Sequence, residues 1–225
     1  MSLKKYQREF ILHLVTRGAL KFGQFRLKSG RISPYFVNIT QAMSDGESAT
    51  KVAKAYANAI MDEIKPDFDY IHGPAYKGIP LASLIATKLW EEYKVNVRWG
   101  YDRKELKNYG DLAEKVIVGD LRDADKVLIV DDVITTGLTK IENWNKLRKI
   151  RNVRPKGILI AVDRQELSRE DKNSLEQLGL KIYSIIKITK IFDFLYEREI
   201  NGKVYVDDNI KKVFDLYFSK YGERS

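Results

Sequence analysis

The 225 residues contain no cysteine. Disulfides, a thiolate nucleophile and any metal site built on sulfur are therefore excluded, and such a composition suits a protein of the cytoplasm. Long apolar runs are missing too. No stretch approaches the length of a membrane span. The first residues, Met1 to Lys5, lead into Tyr6, Phe10, Ile11, Leu14 and Val15, an amphipathic helical pattern broken by charges and unlike the apolar centre of a signal peptide. Two nucleotide fingerprints are also lacking. There is no Gly-x-Gly-x-x-Gly, and Gly73 to Gly78 has the outer spacing of a P-loop but continues into Ile79-Pro80, where Lys-Ser/Thr is required. Internal repeats and low-complexity tracts are absent.

What is present describes a globular chain. An apolar content of 44% is enough to bury one substantial core, and one domain with an appended segment is the natural count. The formal charge of +9 allows nucleic acid, a membrane surface or a strongly anionic small molecule as a partner. The cations are spread along the chain, and the densest run, Lys146 to Lys156, reads as a solvated face. Neither a nucleic-acid nor a membrane partner is expected from it.

The informative stretch is Val127 to Lys140. Val127, Leu128, Ile129 and Val130 predict a strand buried on both faces, as in the middle of a parallel sheet. The apolar run ends in Asp131 and Asp132. A hydroxyl-rich turn with glycine follows, and a helix is predicted from about Leu138, with Ile141, Trp144 and Leu147 on one face. At the carboxyl end of such a strand, the amides opening the helix form an anion site, so Thr135 to Thr139 can cradle a phosphate. The two acids would repel that group and suit sugar hydroxyls or a hydrated cation elsewhere on the same ligand. A phosphorylated sugar meets both demands. The plainer alternative is that Asp131 and Asp132 only end a strand and cap a helix.

This stretch resembles the phosphoribosyl pyrophosphate (PRPP) signature of the type I phosphoribosyltransferases. The resemblance implies an α/β fold, with a central, mostly parallel sheet flanked by helices and a small N-terminal hood. It also implies PRPP contacts from Asp131, Asp132, Val133, Ile134, Thr135, Thr136, Gly137, Leu138 and Thr139.

Earlier in the chain, Gly18 predicts the end of the first helix, and Ala19 to Asn38 reads as a small antiparallel hairpin broken by Lys28-Ser29-Gly30 and Pro34. Ala19 to Gly23, Leu27-Lys28-Ser29-Gly30-Arg31 and Ser33 to Asn38 resemble the hood of orotate phosphoribosyltransferases. That narrower resemblance implies that Lys28 meets substrate and pyrophosphate, and that Phe36 and Val37 line the orotate pocket together with Thr135. Residues 1–40 would be the helix and hood that contribute the base pocket. Residues 41–225 would be the α/β core, a single globular unit.

Ser44 and Glu47 predict a capping box for a helix ended by Pro66. A short strand, Tyr70 to His72, then runs into Gly73-Pro74-Ala75-Tyr76-Lys77-Gly78, a glycine-bracketed loop suited to a second anion; Tyr76 and Lys77 match the family's pyrophosphate loop. Val95 to Trp99 predicts the next strand. The cation-rich segment after it resembles the family's catalytic loop, which closes over the neighbouring active site of a homodimer, with Arg103, Lys104 and Lys107 matching. Tyr109 stands where the family usually has histidine and keeps a hydrogen-bond donor without the cation. Gly157 to Val162 predicts another strand, ending in Asp163-Arg164-Gln165-Glu166. There Arg164 matches the arginine that binds orotate, against an alternative ion pair with Asp163 or Glu166. Lys181 to Ile188 predicts a strand, with helices at Ile191 to Glu199 and Asp207 to Tyr221 around an Asn201-Gly202 turn.

The resemblance implies Mg²⁺ carried by PRPP, with Asp131 and Asp132 behind its waters, and a reaction that rests on Lys107, Lys28, Asp131 and Asp132. A PRPP-sensing nucleic-acid regulator and a purine phosphoribosyltransferase are the alternatives.

Overall fold

The computed structural model describes residues 2–27, 30–105, 115–134 and 137–223. Its frame is a six-stranded sheet in the order β5-β4-β3-β6-β7-β8. The strands are β3 (Tyr70–His72), β4 (Arg98–Asp102), β5 (Ile117–Gly119), β6 (Lys126–Val133), β7 (Arg154–Asp163) and β8 (Ile182–Lys187). All neighbours pair in parallel except β4 with β5. Helices α3 (Gly78–Tyr93), α4 (Leu138–Ile150) and α5 (Arg169–Gln177) link successive strands.

β6 lies between β3 and β7, and its side chains alternate between two cores. Leu128 and Val130 join the larger core with α1 (Lys5–Thr16), α2 (Gly46–Ala59), α3 and α6 (Ile188–Leu195). Val127 and Ile129 face a second core with Trp144 and Leu147 of α4. A continuous apolar run is what such double burial requires. Asp131 and Asp132 belong to the strand, because Asp131 and Val133 still pair with Ile160 and Val162. The acids therefore neither end the strand nor cap the next helix, whose N-cap is Gly137.

Local boundaries follow backbone chemistry more closely than the apolar pattern does. α1 ends in a Schellman closure. The Gly18 N–H donates to Val15 O at 3.1 Å and the Ala19 N–H to Leu14 O at 2.8 Å, with Gly18 at φ +65°. The cap of α2 is Asp45 and not Ser44, since the Asp45 carboxylate accepts from the Ser48 N–H at 2.9 Å. After Ala59 the helix widens into a π turn, Ile60–Ile64, before Pro66. β4 begins at Arg98 and not Val95, because the Val95 N–H closes α3 on Leu89 O at 3.1 Å. α6 stops at Leu195, short of Glu199: Glu197 takes φ +51° and its N–H donates to Val206 O. Asn201 and Gly202, both at positive φ, turn the two-residue strands β9 (Glu199–Ile200) and β10 (Lys203–Val204).

The N-terminal hairpin pairs β1 (Leu20–Arg26) with β2 (Ile32–Val37) antiparallel. It is fastened to the core by rings. Phe22 meets Phe192 of α6 edge-on at 5.4 Å, and Tyr35 meets the same ring at 5.8 Å. Phe192 in turn stacks on Phe214 of α7 (Asp208–Tyr221) at 3.6 Å. Among the described residues, no helix is long and apolar enough to cross a membrane.

Candidate active site

The carboxyl ends of β3, β4, β6 and β7 share one edge of the sheet, and the side chains singled out in the sequence gather there. Asp131 and Asp132 leave the sheet at its centre. The Asp131 carboxylate accepts from the Asp132 N–H and the Asp132 carboxylate from the Val133 N–H, each at 2.8 Å, which fixes both side chains against their own backbone. The Tyr56 hydroxyl, from α2, donates to Asp131 O at 2.7 Å. Each acid has a lysine. Lys140, in the first turn of α4 and 5% exposed, contacts Asp131, and Lys77 donates to Asp132 at 2.6 Å. Burial raises the Asp131 pKa, an effect that Lys140 opposes and Asp132 reinforces.

Lys77 comes from the Gly73–Gly78 loop, whose ends touch backbone to backbone. A β-carbon on Gly73 would overlap Gly78 O, and one on Gly78 would lie 2.7 Å from Gly73 C. Both positions therefore require glycine. The Ala75–Tyr76 peptide is cis. Tyr76 is 69% exposed, and the Lys104 ammonium lies over its ring at 5.7 Å. Lys104 thus reaches the same loop.

On the other side of β6, Arg164 follows β7 and is 7% exposed. Its guanidinium donates to Glu166 at 3.0 Å and lies over the Tyr35 ring at 5.0 Å. Glu166 also accepts from the hydroxyls of Tyr35 (2.6 Å) and Tyr217 (3.1 Å) and lies 3.7 Å from Arg31. The alternative pairing of Arg164 with Glu166 is therefore present, whereas Asp163 accepts from the Gln165 N–H instead. Phe36, the neighbour of Tyr35, is 42% exposed and stacks on Phe25. Val37 pairs with Leu20 in the hairpin.

Ile134 is buried in the second core, so it can meet a ligand only through its backbone. Leu138 is 61% exposed. As at any helix start, the first amides of α4, those of Leu138 and Thr139 among them, have no acceptor within the helix. Lys28, Lys107, Tyr109, Thr135 and Thr136 lie outside the described residues.

The chain matches known proteins along its length. The family described as "Phosphoribosyl transferase domain" matches residues 40–189. An orotate phosphoribosyltransferase of Clostridium acetobutylicum is 40% identical, covering 98% of this chain and 99% of that one. The chain belongs to the orotate phosphoribosyltransferases. A crystal structure of such an enzyme from Francisella tularensis superposes with a TM-score of 0.78 at 33% identity, covering 96% of this chain and 100% of that one. A UMP synthase of Leishmania donovani superposes at 0.73 and 26% identity over 95% of this chain but 42% of its own, so this fold corresponds to one part of that longer protein. The type I phosphoribosyltransferase fold expected from the sequence is the fold observed.

Several side chains at the site of this family member carry no signal in the sequence. Lys140 and Tyr56 sit on helices whose apolar periodicity says nothing of what their polar ends reach. Glu166 is visible only as a rival partner for Arg164. Tyr217 lies on a helix predicted without a role, and no local pattern indicates that it meets the hairpin.

Proposed function

We propose that the protein transfers the 5-phosphoribosyl group of PRPP to orotate, giving orotidine 5′-monophosphate and pyrophosphate on the route to UMP. The observation that carries this reading is the meeting of Asp131, Asp132 and Lys77 at the centre of the sheet edge, beside the amides that open α4. Carboxylates for hydroxyls, amides for a phosphate and a lysine-bearing loop for pyrophosphate are the three needs of one ligand. In this reading Thr135, Thr136, Gly137, Leu138 and Thr139 hold the 5-phosphate. Asp131 and Asp132 hold the ribose hydroxyls, and Tyr76, Lys77, Arg103, Lys104 and Lys107 hold the pyrophosphate.

Mg²⁺ fits this donor set. Two adjacent carboxylates, Asp131 and Asp132, offer acceptors for the waters of an Mg²⁺ carried by PRPP. Bound to PRPP, it would neutralise pyrophosphate charge. A ring nitrogen of orotate, giving up its proton to solvent, forms the new bond to the anomeric carbon as the bond to pyrophosphate breaks, and the electron pair leaves with pyrophosphate. The residues contribute position and charge, and none acts as a nucleophile. Arg164, with Phe36, Val37 and Lys28, would receive the base. The active form would be a cytoplasmic homodimer, with Arg103 to Asp111 reaching the neighbouring subunit.

The test is the ultraviolet absorbance of orotate with the protein, PRPP and Mg²⁺. PRPP-dependent loss of the orotate band, abolished by chelation and strongly slowed in Lys107→Ala, is expected. Turnover of hypoxanthine or adenine in place of orotate would overturn the assignment, as would salt-sensitive retention of nucleic acid with no turnover.

A further inference from the structure

We propose that Asp102 is a positioning residue for the pyrophosphate side of the site, which it ties through Lys146 to the helix that carries the phosphate turn. The inference rests on the reading that the Gly73–Gly78 loop and Arg103 meet pyrophosphate. Asp102 is the last residue of β4, and its two oxygens serve different elements. Oδ1 accepts from the Ala75 N–H, inside the Gly73–Gly78 loop, at 3.0 Å. Oδ2 accepts from Lys146 Nζ of α4 at 2.8 Å, and the same ammonium donates to Arg103 O at 2.8 Å. Two segments that would grip the two ends of PRPP thus meet on one carboxylate, and a third, at Arg103, is held by the same lysine. α4 starts at the 5-phosphate turn, the Gly73–Gly78 loop follows β3, and Arg103 opens the cation-rich segment.

Two further observations separate this arrangement from ordinary packing. Burial alone would raise the Asp102 carboxyl, but His72, Lys146 and the Ala75 N–H together hold it well below the usual carboxylate range. The network is also incomplete. His72 is fully buried with its Nε2 3.6 Å from Asp102, and Asn143 is within 3.3 Å of the same nitrogen. Yet His72 Nδ1, Asn143 Oδ1 and Arg103 Nε have no partner among the described residues. The Arg103 backbone is held by Lys146, while its Nε takes no partner among the described residues.

The experiment compares wild type with Asp102→Asn, Lys146→Met and Lys146→Arg. It measures the KM for PRPP and orotate in the forward reaction, the KM for pyrophosphate in the reverse reaction, and Tm. Asp102→Asn and Lys146→Met are expected to raise the KM for PRPP and pyrophosphate about tenfold, the size of one lost hydrogen bond to a charged group. The orotate KM should stay within about twofold, and Lys146→Arg should recover most of the loss. If Asp102→Asn does not fold, Lys146→Met carries the test, since the lysine side chain is at the margin of the cluster, 31% exposed. Unchanged PRPP and pyrophosphate constants, or an equal rise for orotate, would overturn the proposal while leaving the activity intact. Calorimetry of wild type with Mg²⁺-pyrophosphate separates the two ideas: no binding there would remove the underlying reading and the proposal with it.

Discussion

Replacing Glu166 with glutamine is the sharpest probe of the base side. The side chain is 5% exposed and its carboxylate meets four donors: Arg164 at 3.0 Å, Tyr35 at 2.6 Å, Tyr217 at 3.1 Å, and Arg31 within 3.7 Å. Glutamine keeps one acceptor oxygen but turns an NH₂ towards donors and removes the charge that offsets Arg164. Breaking a buried ion pair from one side costs roughly 3–5 kcal/mol. Because the retained oxygen preserves one hydrogen bond, about 3 kcal/mol is expected here. For a domain of this size that corresponds to a fall in Tm of roughly 6–12 °C. Calorimetry or circular dichroism melting would read it. Under the proposed binding of orotate to Arg164, saturating orotate should return part of the loss, its carboxylate taking the place of the missing one. A Tm within about 2 °C of wild type would refute the claim that Glu166 neutralises a buried guanidinium.

Lys140→Met should destabilise the fold by about 3 kcal/mol at neutral pH, since it leaves the Asp131 charge beside Asp132 with its buried cation gone. Burial already raises the Asp131 pKa against Lys140, so losing the ammonium raises it further. A raised folded pKa means that the folded state binds the proton more tightly. The deficit is therefore small below the ordinary carboxylate range and grows as pH rises through the folded pKa. Urea midpoints at neutral pH and near pH 4 would show it, and an equal deficit at both would refute the assignment. Gly78→Ala should raise the PRPP KM by an order of magnitude or more, because its β-carbon would meet Gly73 backbone at 2.7 Å and force the loop open. Normal PRPP kinetics in that variant would show that the loop tolerates the added carbon.

The sheet was legible because its signals are local. The apolar run Val127 to Val130 reads as a strand covered on both faces, and two cores do cover it. Asp131, Asp132 and Lys77 were legible because each sits in a short segment whose chemistry is unusual by itself. Boundaries were less so. Asp45 takes the cap expected of Ser44 because capping depends on which side chain reaches the free amide, a matter of backbone angle and not of spelling. Partners across the fold were least visible. Lys146 belongs to a run that reads as solvated, yet its ammonium is spent on Asp102 and Arg103.

The hydroxyls that meet on Glu166 come from opposite ends of the chain: Tyr35 lies 131 positions before it and Tyr217 51 positions after it. In the proposed reading the side chains for the sugar phosphate lie between β3 and α4 and can all be synthesised before β7, β8 and α7 emerge. The base half cannot, because the hairpin made first must wait for the helix made last. During synthesis the two halves therefore mature at different times. A nascent chain arrested before α7 would hold the groups proposed for an activated sugar without the full surroundings of Arg164, the arginine proposed to receive its acceptor.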